Sequence, residues 1–257
     1  MNKLNDAKIL LWDMETLPYI AMVWGMWKQN INAQQVIKDR SIICISYKWL
    51  NDTEVHSVHI GEDYDQFKAD PYNCDHVVER FIPVLNEADF AVAHNGDRFD
   101  YPILKAHQVI HNLESFRVRK VDTLRMAKGV GQFPQGSRLD NLARLLGVSR
   151  KNATRFQMWR DIALHSDDVA LGEMVHYCEQ DVRVLEDVFK KLWPHCEHML
   201  PHIGMLTGGK KEGDACPRCG GWDYVKYGRY IKNVLVYQRY RCKDCGSTFI
   251  GRKALKD

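Results

Sequence analysis

A chain of 257 residues, 45% apolar and 27% charged, has room for one large folded domain and a small one, and is too apolar to stay disordered. No apolar run approaches the ~20 residues that span a bilayer, and the opening MNKLNDAKILLWD has acidic residues and no small-residue cleavage site. Neither a membrane segment nor a secretory leader is expected, so the implied location is cytoplasmic. The net charge of +3 is uneven, because residues 206–257 carry 12 Lys/Arg against 5 Asp/Glu and the remainder is net −4. A basic tail on a mildly acidic body suits an anionic partner, nucleic acid being the commonest; the plainer reading is a solubilising surface.

In chain order, the apolar run 8–12 reads as a buried strand. Residues 41–50 (SIICISYKWL) form a β-branched-rich strand, and the alternating stretch 55–60 pairs with it as a hairpin across Asn51-Asp52. Residues 77–85 read as a helix and 90–93 as a strand. Two more helices are expected at 101–110 and 137–146, the second stopped by Gly147. The last long helix begins near Asp167 and runs toward Trp193, where Pro194 ends it. Early hairpin strands followed by strand–helix alternation predict an α/β fold, a mixed sheet flanked by helices. Between 204 and 214 the chain reads GMLTGGKKEGD, glycine and charge without apolar periodicity. That places a linker at 206–213 between a domain spanning 1–205 and a small one spanning 214–257.

Four carboxylates stand out. Asp13 and Glu15, in LLWDMET, are spaced by two at the end of the first strand, which puts both on one face. Two acids on one face repel unless a cation sits between them, and hard oxygen donors suit Mg²⁺ or Mn²⁺. Asp100 follows a polar break in HNGDRFDYP, where Gly96 permits a tight bend. On its own, Asp100 also reads as a helix N-cap ahead of Tyr101-Pro102. Asp181 lies in the last helix, in HYCEQDV, with Tyr177 one turn earlier on the same face. A phenol there can orient an attacking water.

LLWDMET, HNGDRFDYP and YCEQD, in this order, resemble the three motifs of DEDD exonucleases. The likeness is to the proofreading domains of family B DNA polymerases and to free-standing RNase H-like exonucleases. VDTLRMAK and SRLDNLARLLG resemble the stretch between the second and third motifs, so the likeness covers residues 8–193. It implies an RNase H-like mixed sheet and 3′→5′ phosphodiester hydrolysis with two Mg²⁺ or Mn²⁺ ions, single-stranded DNA being favoured over RNA. In that scheme Asp13 bridges both ions, Glu15 and Asp181 complete the site of one, and Asp100 supports the other. Thr16 and Leu17 would meet the terminal nucleotide, and Asn95 would approach the substrate. The family has a tyrosine branch, Y-x3-D, and a histidine branch, H-x4-D, and this sequence satisfies both through Tyr177 and His176. On a continuous helix Tyr177 lies about 40° from Asp181 and His176 about 140° away, which favours the tyrosine branch. Asp122, in VDT, is expected to be structural or to support the site from behind.

Cys216, Cys219, Cys242 and Cys245 form two C-x2-C pairs. At this separation they read as a structural Zn²⁺ site in a small β domain, with Gly220 and Gly246 as turn residues. Strands are expected at 224–227 and 231–240. VLVYQRYRCKDCGSTF resembles the zinc ribbon of some insertion-sequence transposase proteins. Trp222, Tyr224, Tyr227, Tyr230, Tyr237 and Tyr240 alternate with Lys226, Arg229, Lys232, Arg239 and Arg241. Half of the rings are expected inside the ribbon and half free to stack on bases; a protein partner is the other reading. The alternative for the whole chain is a non-catalytic nucleic-acid-binding or adaptor protein on a nuclease scaffold.

Overall fold

The computed structural model describes residues 7–148, 155–196, 216–217, 221–232 and 235–255. They fall into two compact units, one of them Ile9–His195 and the other lying mainly C-terminal to it in sequence. In the first, β1 (Ile9–Leu17) begins with four consecutive buried residues, Ile9 to Trp12. A continuous apolar run of this kind suits a strand covered on both faces. The strand continues past the run expected at 8–12, so Asp13 and Glu15 stand inside it. A short hairpin, β2 (Ile20–Ala21) with β3 (Val36–Lys38), follows. β4 (Ser41–Trp49) and β5 (His56–His59) make the expected hairpin, with Asn51 in the left-handed region at φ 67°. The second strand is shorter than 55–60, because Ile60–Glu62 winds into a 3₁₀ turn.

α1 (Tyr64–Ala69) and α2 (Asp75–Glu87) lead to β6 (Phe90–Ala93), α3 (Asp100–Ile110) and β7 (Arg119–Asp122). The sheet order is β5-β4-β1-β6-β7, antiparallel from β5 through β1 and parallel from β1 through β7. This is the mixed sheet expected from the sequence. α4 (Thr123–Val130), α5 (Leu139–Leu146), α6 (Phe156–His165) and α7 (Asp168–Leu192) complete the unit. Of these, α4 and α6 were not foreseen.

α7 carries the logic of the site. Asp167 starts it by accepting the Ala170 amide at 2.8 Å, a side-chain N-cap. Leu171, Met174, Cys178, Val182, Leu185 and Phe189 recur at three- and four-residue intervals and are buried, and α7 packs on β1 and β4. Asp181, three residues after Cys178 and four before Leu185, is a carboxylate in that stripe, only 2% exposed.

The second unit contains an antiparallel sheet ordered β10-β9-β8, from β8 (Tyr224–Lys232), β9 (Leu235–Cys242) and β10 (Thr248–Ala254). β8 is longer than the expected strand 224–227, β9 begins later than 231, and β10 was not foreseen. The proposed linker 206–213 and Cys219 lie outside the described residues. No helix among the described residues is long and apolar enough to cross a membrane.

Candidate active site and metal centre

Period-two geometry puts Asp13 and Glu15 on one face of β1, both half-buried, opposite Ser46 and Cys44 of β4. The β1–β4 register shifts between Glu15 and Thr16. Such a bulge sharpens the local twist and re-aims the side chains beside it. Against this strand lies α7, where the Cys178 thiol donates to the Asp13 carbonyl oxygen at 3.5 Å and lies 3.9 Å from Asp13 Oδ2. Burial, then Cys44, then the charges of Asp13 and Glu15 push the Cys178 thiol well above its ordinary pKa. It therefore remains a protonated donor. The result is that ligand oxygens of Asp13, Glu15 and Asp181 all lie within 4.8 Å of one another.

Three carboxylates this close repel, and the burial of Asp181 weakens the screening that water would provide. A divalent cation relieves both penalties. An all-oxygen donor set of this charge fits Mg²⁺ or Mn²⁺ by hardness.

Asp100 does not join that triad. It is the first residue of α3, with Phe99 at the N-cap, so the N-cap reading of Asp100 is corrected by one position. Only 2% exposed, its carboxyl is pushed up to about 7 by burial, with Asp122 adding to the rise. Its own backbone amide and that of Met14 oppose the shift. Met14 lies between Asp13 and Glu15, beyond Leu11, where the pairing of β1 with β6 ends. Asp100 therefore approaches the backbone of the strand that carries the first two acids.

The loop before α3 is built by sterics and by one acid. Asn95, not Gly96, takes the left-handed conformation, at φ 64°. Gly96 matters for close approach, since a Cβ there would stand 2.6 Å from the Ala93 Cβ. Asp122 accepts the Asn95 amide at 2.9 Å and the Asp97 amide at 3.3 Å, and also the Leu124 amide at 2.9 Å, capping α4. His94 Nδ1 lies 2.9 Å from Thr123 Oγ1. These contacts give Asp122 and His94 structural work.

Tyr177 is half-buried and packs against the core, while His176 is exposed. Thr16 is half-buried beside the bulge. Leu17, the last residue of β1, is fully buried. Sequence reading missed Cys178, whose signal was its place within YCEQD, on the face that carries Asp181.

In the second unit, sulfur atoms of Cys216, Cys242 and Cys245 lie within 4.8 Å of one another, with Cys216 and Cys245 at 3.7 Å. Cys216 donates its amide to Gly221 O and Cys242 donates its amide to Ser247 O, both at 2.9 Å. Gly246 is left-handed at φ 71°, as a turn residue requires, whereas Gly220 lies outside the described residues. Among the described residues the core there is small: Cys216, Cys242 and Phe249, with Tyr224 and Tyr240 against them. Tyr227 and Tyr230 are exposed, and the Arg239 and Arg241 guanidinium groups lie 5.8 Å and 5.5 Å from the Tyr227 ring centre.

A profile of the RNase H superfamily matches residues 35–193, beginning downstream of Asp13 and Glu15. Among solved structures, the family B DNA polymerase of the hyperthermophilic archaeon Pyrobaculum calidifontis aligns with a TM-score of 0.54 at 14% identity, covering 91% of this chain. The alignment spans 32% of the polymerase, about a third of its length. At that identity the likeness shows a shared fold. A search of curated proteins finds no match.

Proposed function

Because this chain belongs to the RNase H superfamily, we propose that its acidic cluster makes it a 3′→5′ exonuclease of the tyrosine branch, acting on single-stranded DNA. The observation that carries this reading is the convergence of Asp13, Glu15 and Asp181 within 4.8 Å. Nothing in the packing of a stable sheet asks for three acids in one place, one of them in the apolar stripe of a helix. Asp13, Glu15 and Asp181 would hold a divalent ion, and Asp100 would support a second from the start of α3. Such ions, when bound, lower the pKa of an attacking water and stabilise charge on a departing 3′-oxygen.

The chain's own residues supply the rest. Tyr177, one turn before Asp181 and anchored against the core, would orient the attacking water through its hydroxyl. Thr16, Leu17 and Asn95 would line the place of the terminal nucleotide. The preference for DNA follows the polymerase likeness and the order of the motifs. A domain of residues 1–205, a linker at 206–213 and a four-cysteine zinc ribbon at 214–257 complete the proposed arrangement. In the ribbon, one Zn²⁺ held by Cys216, Cys219, Cys242 and Cys245 would be structural. Tyr227 with Arg239 and Arg241 would offer nucleic acid a stacked, cationic face.

The test is cleavage of 5′-labelled single-stranded DNA and RNA with Mg²⁺, Mn²⁺ or EDTA, beside Asp13→Ala. A metal-dependent ladder of products shortened from the 3′ end, lost in the variant, is expected. Binding of both polymers with no cleavage would sink this reading and leave the adaptor.

A further inference from the structure

Large apolar side chains crowd one exposed stretch of the first unit. Between β2 and β3, Met22 is 70% exposed, Trp24 100%, Met26 87% and Trp27 82%. The stretch is held at its base. Met22 donates its amide to the Gln35 carbonyl at 2.9 Å, and the Gln35 side chain returns a bond to the Met22 carbonyl at 3.0 Å. Asn32 and Gln35 cap each other in a box. Within the tip, Gln29 donates to the Trp27 carbonyl at 2.8 Å, and Lys28 is left-handed at φ 48°. A loop tied at its neck, with two indole rings in solvent, displays those rings instead of packing them.

From Thr16 to Lys38 the sequence contains no Asp or Glu; Lys28 is the cation of the loop itself, whereas Lys38 at its end pairs with Asp70 at 2.9 Å. At the neck, the Arg40 guanidinium lies 5.4 Å from the Tyr19 ring centre and 5.8 Å from that of Phe99. Tyr19 follows the strand that bears Asp13 and Glu15, and Phe99 immediately precedes Asp100. Arg40 thus joins the two segments that deliver the acids, and the loop continues outward from that junction. Trp24 is nine residues from Glu15, a reach of at most about 30 Å.

We propose that this loop is a stacking platform for the single-stranded DNA that enters the acidic cluster. Trp24 and Trp27 take bases of the strand a few nucleotides from its 3′ end, while Lys28 and Arg40 face its phosphates. Aromatic faces accept any base and cations follow the backbone, so the platform is indifferent to sequence. A protein partner or a second copy of this chain would also cover indole rings, but neither accounts for the absence of acids or for the continuity with the carboxylate strand. The inference rests on the nuclease reading for the identity of the strand, and its test separates the two.

Full-length protein carrying Asp13→Asn, to stop cleavage, is titrated with fluorescent dT oligonucleotides of about four and about twelve nucleotides, lengths within the usual range of such platforms. The same is done after adding Trp24→Ala and Trp27→Ala, or Trp24→Phe and Trp27→Phe. The alanine pair is expected to weaken binding of the longer oligonucleotide at least about tenfold, near the low end for losing one stacked base. The shorter one should change little, and the phenylalanine pair should recover most of the loss. A matched RNA arm weakened equally would keep the platform and remove its preference for DNA. Equal affinity in all three proteins overturns the platform, as does unchanged binding with a loss of self-association in light scattering. Cleavage by the protein with native Asp13 is read separately. If it cleaves nothing yet needs both indoles to bind, the platform stands and the nuclease reading falls.

Discussion

The Cys178 thiol donates to the carbonyl oxygen of Asp13 at 3.5 Å, tying the middle of α7 to the first acid of β1. One turn on either side of that contact lie Met174 and Val182, both fully buried. The position of Asp13 against α7 is therefore fixed in part by a fully buried side chain. Cys178→Ser keeps the size and the donor, and its activity should stay close to that of the parent. Cys178→Leu overpacks a fully buried position, at about 1–3 kcal/mol. It should also weaken divalent-metal binding by about 10–100-fold, as losses behind a metal ligand do. Calorimetric titration with Mn²⁺ checks this, and equal metal affinity in the leucine variant would show that Cys178 only fills space.

Removal or addition of metal should be visible without any substrate. Three carboxylates within 4.8 Å raise the energy of the metal-free fold, and an ion bound only by the native state adds stability by mass action. At a hundredfold excess over Kd that is about 2.7 kcal/mol, or several degrees in Tm for a unit of this size. Asp13→Asn and Asp181→Asn should lose most of the increment, and Asp181→Asn should be no less stable than its parent in EDTA. Differential scanning fluorimetry with and without Mn²⁺ makes the comparison. A Tm indifferent to Mn²⁺ in the parent chain would argue that no ion binds there.

Most of the sheet was legible because β1, β4 and β6 are apolar runs with turn residues between them, and α7 announces itself by a stripe over 25 residues. α4 was not foreseen because its start rests on the Asp122 side chain, which accepts the Leu124 and Arg125 amides, and a structural role for Asp122 does not by itself mark a helix N-cap. α6 follows Arg155 without a side-chain cap, so its first turn carries no sequence signal. Within the site, Asp13, Glu15 and Asp181 could be brought together from motif order alone. The depth of Leu17 could not, because it depends on which face of β1 the bulge after Glu15 turns inward. β10 went unseen because glycine and two cations break its alternation at 251–253.

A second buried charge lies away from the acids. Lys48 and Glu186 form an ion pair with side chains only 6% and 7% exposed, and Lys190 and the Asn51 amide also reach Glu186, at 2.8 Å and 2.9 Å. Burial alone would push the Glu186 carboxyl up, but Lys190, Lys48 and the Asn51 amide together hold it below its ordinary value. Lys48→Met should cost about 3 kcal/mol, the low end for stripping one partner from a buried pair, since Lys190 and Asn51 remain. Lys48→Met with Glu186→Leu should recover much of that. The pH dependence has a definite sign. With a folded pKa below the unfolded one, the contribution of Glu186 is full above the unfolded value of about 4.3 and is lost as pH falls through the lower folded value. Urea melts of the parent and of Glu186→Gln from pH 7 to pH 3 should converge on the acid side. Parallel curves would remove Glu186 from the acid response.

Among the described residues the small sheet of β8, β9 and β10 has a core of Cys216, Cys242 and Phe249, too little apolar surface to hold a fold alone. Zinc–thiolate binding, with apparent values of about 10–16 kcal/mol in small domains, exceeds what such a core provides. One zinc per chain is therefore expected by elemental analysis, and Cys242→Ser should lose it. Stripping zinc with a strong chelator should expose the β8–β10 amides to hydrogen exchange while those of β1, β4 and α7 keep their protection. The two responses differ because Leu10, Trp12, Ile43 and Phe81 belong to a separate, much larger core. Protection of β8–β10 that survives complete loss of zinc would mean that the three cysteines pack as small apolar side chains, and the ribbon would stand without its metal.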